Sequence, residues 1–184
     1  MHRASWVLGG AAAAAAIYGP TVDSAFTWFY VPLSVVYAGL IEWLDRRLGL
    51  RERVRWSLTV AALGNLAAGV LVVGGDQFYV YPLFGPVWVD DVQHFTAAAI
   101  ASWAAWDLLR ALPERSRAFV AVLTATGLGA LIEVGEFIGW SLFDTNVGGY
   151  TDTMMDFVVN LAGATLAGVV SFVRSSAERE RPTA

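Results

Sequence analysis

Long apolar runs alternate with short charged patches along the whole chain, and they predict membrane-spanning helices. A bilayer-crossing helix needs about 20 predominantly apolar residues, and several runs approach this length. The pattern predicts an all-α polytopic membrane helix bundle of about six transmembrane helices, with residues 1–184 as a single integral-membrane domain and residues 175–184 as a flexible cytoplasmic tail. The candidate spans are Ser5–Gly19, Ala25–Leu44, Ser57–Gly74, His94–Leu112, Ala118–Phe143 and Thr153–Val173.

The first candidate span has two interpretations. It is short, and its apolar character comes largely from the alanine run Ala11–Ala16. One interpretation is a retained helix. The other is a secretory signal peptide, with Arg3 before a weak apolar stretch and an alanine-rich cleavage region after it, although Gly9 and Gly10 interrupt that stretch. Removing this span leaves the orientation of the other five unchanged.

The amino-acid composition indicates a chain that is surrounded largely by lipid. Hydrophobic residues make up 57% and charged residues 15%, against roughly 25% charged residues in an average soluble protein. The 8 tryptophans suit helices anchored at membrane interfaces. The absence of cysteine excludes disulfides and thiolate metal sites. The net charge of −4 and the lack of a basic stripe argue against nucleic acid as a partner.

The charges of the connecting segments indicate the orientation. All 12 basic residues are arginines, located at residue 3 and in residues 46–55, 110–117 and 174–181. With six spans, every arginine falls on one side of the membrane. Because basic residues concentrate in cytoplasmic loops, both termini are predicted to be cytoplasmic in a multi-pass protein of the cell membrane. The opposite loops carry only acidic charges, namely Asp23, Asp76, Asp90, Asp91, Asp144 and Asp152.

The orientation can be tested with introduced thiols, since the natural chain contains none. A cysteine replacing Asp144 should react with an impermeant thiol reagent added to intact cells, and a cysteine replacing Ser57 should react only after the cells are opened. Labelling of Ser57→Cys but not of Asp144→Cys in intact cells would contradict the predicted topology.

Three segments place ionisable side chains within or beside apolar helices. Span four opens with an acidic pair followed by a histidine, span five contains two glutamates, and span six opens with a polar stripe. Residues three or four apart share a helix face, so each segment directs its polar groups to one side. The candidate ligands are Asp90, His94, Glu133, Glu136, Asp152, Asp156 and Asn160.

These segments are predicted to meet at one depth in the outer half of the membrane. With a helical rise of 1.5 Å per residue, Glu136 lies roughly 10 Å and Glu133 roughly 15 Å from the end of span five at Phe143. So many carboxylates cannot all stay charged in a low-dielectric medium without compensation. Protonation, wide access of water and bound cations are the three solutions. One histidine among carboxylates and an amide suits a divalent metal cation, with Mg, Ca, Mn or Zn as candidates.

The same residues carry a resemblance to two groups of bacterial membrane proteins. The chain resembles the uncharacterised inner-membrane family typified by YjdF, although Phe157 stands where methionine is expected. It is also similar to the VanZ-like group, but lacks that group's arginine before the aspartate and its Glu-Gln pair. The matching motifs are Asp90-x-x-x-His94-Phe95, Glu133-x-x-Glu136, Asp152-Thr153-x-x-Asp156 and Asp156-x-x-x-Asn160-x-x-Gly163-Ala164. The resemblance implies a multi-pass protein connected with the cell envelope.

Three functions remain open at the level of the sequence. The first is a metal-dependent enzyme that acts on a lipid or envelope intermediate at the outer leaflet. The second is a cation-binding or transport protein with an outward-facing acidic vestibule. The third is a structural or accessory membrane subunit in which the acidic cluster is protonated and hydrogen-bonds the helices together. All three have the lipid bilayer as a partner.

Overall fold

The computed structural model describes residues 2–24, 26–142 and 149–179, and these residues are predominantly α-helical. The predicted all-α class is confirmed. The predicted span ends Ala25 and Phe143, and the loop residue Asp144, lie outside the described residues. The helices are α1 (Arg3–Thr21), α2 (Thr27–Leu48), α3 (Glu52–Val70), α4 (Val89–Leu108), α5 (Glu114–Leu142) and α6 (Tyr150–Arg179).

The long connection between α3 and α4 contains two short antiparallel hairpins. Strand β1 (Val72–Val73) pairs with β2 (Asp76–Gln77), and β3 (Pro82–Phe84) pairs with β4 (Val87–Trp88). Gly74 and Gly75 form the first turn with φ values of 66° and 101°, which side chains other than glycine rarely tolerate. Strands this short carry too little periodicity to be predicted from the sequence.

The chain divides into two compact units, residues 1–93 and residues 94–184. In the first unit, α1 and α2 run antiparallel. The backbone N–H of His2 and the hydroxyl of Ser5, at the start of α1, both donate to Glu42 near the end of α2. Arg55 near the start of α3 pairs with Asp45 at 2.7 Å, so α3 runs antiparallel to α2. Glu42, Asp45 and Arg55 at this end therefore all have polar partners.

Small apolar residues allow the helices of the first unit to approach one another closely. Leu8 of α1 packs against Ala38 and Ile41 of α2 and Ala62 of α3, and all four are buried. Gly69 of α3 lies against the ring of Tyr30, which occupies the space a side chain at this position would need. Close backbone approach through small residues is the usual packing of membrane helices.

The second unit has the same alternation of helix directions. Gly129 of α5 faces Asn160 of α6, while Val122, two turns earlier, faces Gly168, two turns later, so α5 and α6 are antiparallel. Helices α4 and α6 run parallel, because Gly163 lies against the backbone of Phe95 and Gly168 near the hydroxyl of Ser102. The beginnings of α4 and α6 and the end of α5 therefore lie at one end, which we call the acidic end.

Helix α6 extends beyond the predicted start of the flexible tail. Residues 175–179 are helical, and the remaining tail residues lie outside the described part of the chain. Ser175 and Arg179 both contact the carboxylate of Glu114 in the first turn of α5. These contacts are formed only when α6 packs against α5, and they explain why the helix continues through a polar stretch.

Three of the described helices, α2, α5 and α6, are long and apolar enough to cross a membrane. Glycine and polar residues lower the hydropathy of α1, and charged or polar first turns do so in α3 and α4. Large apolar side chains such as Leu131 and Leu142 of α5 are each 70% exposed. Side chains of this kind are stable where lipid, rather than water, surrounds the helix.

The close approach of α4 and α6 predicts a sensitive position at Gly163. A Cβ atom there would overlap the backbone carbonyl oxygen of Phe95, so Gly163→Ala must push the two helices apart. We expect a loss of about 1–3 kcal/mol, as for other overpacked interiors, measured by unfolding of the purified protein in detergent.

Gly127→Ala is the matched control, because a Cβ atom at Gly127 meets open space. It should be neutral or stabilise the protein by up to about 1 kcal/mol through higher helix propensity. Equal stability of the two variants would contradict the packing described for Gly163.

Candidate metal centre

Four ionisable side chains of the second unit converge near its acidic end. His94 comes from the beginning of α4, Glu133 and Glu136 from the last third of α5, and Asp156 from the second turn of α6. One potential ligand atom from each residue lies within 4.8 Å of all the others. The antiparallel course of α5 brings its glutamates to the level at which α4 and α6 begin, which is the arrangement that the helix spacing predicted.

Three of these side chains are withdrawn from solvent. Glu133 is fully buried, Asp156 is 2% exposed and His94 is 8% exposed. Glu136, one turn nearer the acidic end, is half-buried. The cluster therefore has a buried inner part around Glu133 and a more accessible side at Glu136.

Asn160 connects the histidine and the buried glutamate. Its amide nitrogen donates to Oε1 of Glu133 at 3.2 Å and lies 3.3 Å from Nδ1 of His94. Nδ1 of His94 is itself 3.1 Å from the same glutamate oxygen. A protonated Nδ1 donates to Glu133, and an unprotonated one accepts from Asn160. Asn160 thus presents a hydrogen-bond donor to the cluster. Its geometry therefore fits a residue that orients two ligands better than it fits a metal ligand.

The second oxygen of Glu133 has no corresponding contact. Oε2 is buried and has no hydrogen-bond partner among the residues that the structure describes. A buried polar atom left without a partner costs about 1–3 kcal/mol, and more when it is charged. A proton or a cation at this oxygen would remove that cost.

The separations within the cluster are those of ligands around one ion. Adjacent ligands of a tetrahedral or octahedral ion lie about 3 Å apart, given metal–ligand bonds of about 2.0–2.1 Å, and Nδ1 of His94 is 3.1 Å from Glu133. The 4.8 Å limit for all four atoms is close to the full width of a calcium coordination sphere, about 4.6–5.2 Å. These separations are short enough for the four side chains to share one divalent ion.

The remaining predicted ligands occupy other positions. Asp152 is exposed in the first turn of α6, one turn before Asp156, and a carboxylate oxygen of each lies within 4.8 Å of the other. Asp90 belongs to the first unit, in the first turn of α4. Its neighbour Asp91 accepts a hydrogen bond from the backbone N–H of Trp88 at 2.7 Å. Acidic residues in a first turn also interact favourably with the helix dipole, which gives these aspartates a structural role independent of a metal.

Gly129 is a site residue that is not among the candidate ligands predicted from the sequence. A Cβ atom at this position would lie 2.9 Å from Cγ of Asn160, so glycine makes room for the amide between His94 and Glu133. The available signal was the spacing, since Gly129 lies four residues before Glu133 and therefore on the same helix face.

An apolar layer closes the cluster on the side away from the acidic end. Ala98 of α4, Ala125 of α5 and Ala164 of α6 pack together, and all three are buried. Each lies one to two turns from the nearest cluster residue on its own helix. Alanine side chains offer neither a hydrogen-bond partner nor an oxygen ligand at this level.

Comparison with known proteins agrees with the membrane character of the fold. A family model described as a predicted membrane protein (DUF2238) matches residues 3–177. No curated protein matches the chain. No solved structure matches it either.

The contacts of Asn160 predict a stabilising role for this residue. Asn160→Ala removes one of the two contacts of Oε1 of Glu133 and the amide contact of His94, so we expect a loss of about 1–3 kcal/mol in unfolding free energy. The control is Asn65→Ala in α3, because the side-chain oxygen of Asn65 has no hydrogen-bond partner in the described part of the chain. A larger loss for the Asn65 variant would contradict the proposed importance of the Asn160 contacts.

Proposed function

We propose that this chain, which belongs to the DUF2238 family of predicted membrane proteins, binds a divalent cation at the acidic end of its second unit. The ligands are His94, Glu133, Glu136 and Asp156, with Asn160 orienting His94 and Glu133. One observation carries the proposal. Four ligand-type side chains from three helices each place one potential ligand atom within 4.8 Å of the others, and the most buried of them, Glu133, has an oxygen without a hydrogen-bond partner among the described residues.

The electrostatic balance also favours a cation. The arginines of the second unit's described residues lie at the opposite end of its helices, and Arg115 is separated from Glu133 by 18 residues of α5, or roughly 27 Å. His94 alone cannot supply enough positive charge to balance three carboxylates. A divalent ion supplies the remaining positive charge, as buried charges are generally paired or bound to metals.

The mixed ligand set restricts the identity of the metal. Carboxylates suit Mg²⁺, Ca²⁺ and Mn²⁺, whereas an imidazole nitrogen suits Zn²⁺ and other transition metals. A set of one imidazole and three carboxylates therefore favours Mn²⁺ or Zn²⁺ over Mg²⁺ or Ca²⁺.

We further propose that the site serves a metal-dependent hydrolytic enzyme acting on a lipid or envelope intermediate. A metal held by these residues would supply a water molecule activated as a nucleophile. Glu136 is the half-buried ligand, so the carboxylate oxygen that it does not use as a ligand could accept a proton from that water at the accessible side. If six helices span the membrane with cytoplasmic termini, as the distribution of arginines favours, this side faces the outer leaflet.

Transport is less compatible with the second unit. An ion leaving Glu133 toward the arginine end would have to cross the layer formed by Ala98, Ala125 and Ala164. These side chains offer no oxygen ligand to replace those lost. Moving a cation through such a layer would require the three helices to separate.

The decisive measurement combines metal analysis with thermal unfolding of the purified full chain. We expect about one transition-metal ion per chain, loss of stability with chelator, and recovery with Mn²⁺ or Zn²⁺. Mass action predicts a stabilisation of about 2.7 kcal/mol when the free ion reaches about 100 times its dissociation constant. Glu133→Gln and Glu136→Gln should abolish this metal-dependent increment. The control variant Glu178→Gln, which removes an exposed carboxylate near the end of α6, should retain it.

A different outcome would identify the cluster as protonated polar packing. In that case the wild type contains no stoichiometric metal, and its unfolding temperature does not change with chelator or added ions. Glu136→Gln would then be neutral or stabilising, because the amide keeps the shape of the acid without its charge. That result would contradict the cation proposal and favour the structural or accessory subunit.

A further inference from the structure

The opposite end of the second unit contains a cavity of about 460 Å³. It lies where α5 begins and α6 ends. This volume is within the usual range of about 300–1,000 Å³ for small-molecule sites. The cavity is lined by Pro113, Glu114, Arg115, Phe172, Ser176 and Arg179.

We propose that this cavity binds the phosphate headgroup of an anionic phospholipid. Helices α5 and α6 are both long and apolar enough to cross a membrane, so the ends that form the cavity lie at headgroup level when they do. The inference concerns a site separate from the acidic cluster and does not depend on the proposed metal function.

The charges of the lining match a single phosphodiester. Glu114 pairs with Arg179 and also accepts a hydrogen bond from Ser175. This pairing neutralises one of the two arginines. Arg115 is exposed in the first turn of α5 and provides the net positive charge of the lining. Basic cavities between membrane helices at an interface are typical binding sites for anionic headgroups.

The remaining lining provides a polar and an apolar contact for the same ligand. The hydroxyl of Ser176 lies 3.4 Å from the guanidinium of Arg179, so both can contact one phosphate oxygen. The first turn of α5 also directs backbone N–H groups toward an anion. Phe172 and Pro113 form the apolar part of the lining, which suits the glycerol backbone and the start of an acyl chain.

The test measures unfolding of the purified full chain in neutral detergent during titration with short-chain phosphatidylglycerol, phosphatidylcholine or inorganic phosphate. We expect phosphatidylglycerol to raise the melting temperature at concentrations where the other two do not. Arg115→Gln should weaken the apparent affinity for phosphatidylglycerol about fivefold, the typical effect of one basic residue on anionic lipid binding.

Arg174→Gln is the matched control, because Arg174 is an exposed arginine near the end of α6 that does not line the cavity. It should bind phosphatidylglycerol as the wild type does. Equal weakening by both substitutions would show general attraction of the charged surface and overturn the assigned site. Equal stabilisation by inorganic phosphate would show a simple anion site and overturn the lipid assignment, and so would equal stabilisation by phosphatidylcholine.

Discussion

The contact between Glu133, His94 and Asn160 is the constraint on which the second unit depends. A fully buried carboxylate on an apolar helix is stable only if other groups replace the water it has lost. Asn160 on α6 and His94 on α4 reach the same oxygen, Oε1 of Glu133. Because the three residues come from three helices, the contact fixes the rotation of each helix about its axis as well as its distance from the others.

Glycine and alanine make this polar contact geometrically possible. Gly129 leaves space for the amide of Asn160, and Gly163 allows the backbone of Phe95 to approach α6. One to two turns away, three buried alanines bring the same helices together without any polar group. The close packing of the helices thus keeps the polar groups within hydrogen-bonding distance and reduces the energetic cost of burying them. Larger residues at the two glycines would move these hydrogen-bonding groups apart.

Much of this arrangement follows from the sequence, and the exceptions have physical reasons. Apolar run length predicted the helices, and the spacing of His94, Glu133, Glu136 and Asp156 predicted their convergence, because helical periodicity converts spacing into direction. The sequence did not predict the particular role of Gly129, since the space needed beside a glycine depends on which residue of the neighbouring helix faces it. It also did not predict the helical residues 175–179, which are held by a contact with Glu114 that is distant in sequence.

The two candidate sites of the second unit are physically separable. The glutamate at each end belongs to the same helix, yet Glu133 and Glu114 are separated by 19 residues of α5, roughly 28 Å. Direct electrostatic coupling over this distance is small, since two unit charges roughly 28 Å apart interact by about 0.6 kcal/mol at an effective dielectric constant of 20. Any coupling between cation binding and lipid binding must therefore pass through helix packing, and the alanine layer between the sites is the place where α4, α5 and α6 would transmit it. A cation that draws α4, α5 and α6 together at Glu133 also favours the close packing of α5 on α6 that forms the cavity, so the expected coupling is positive.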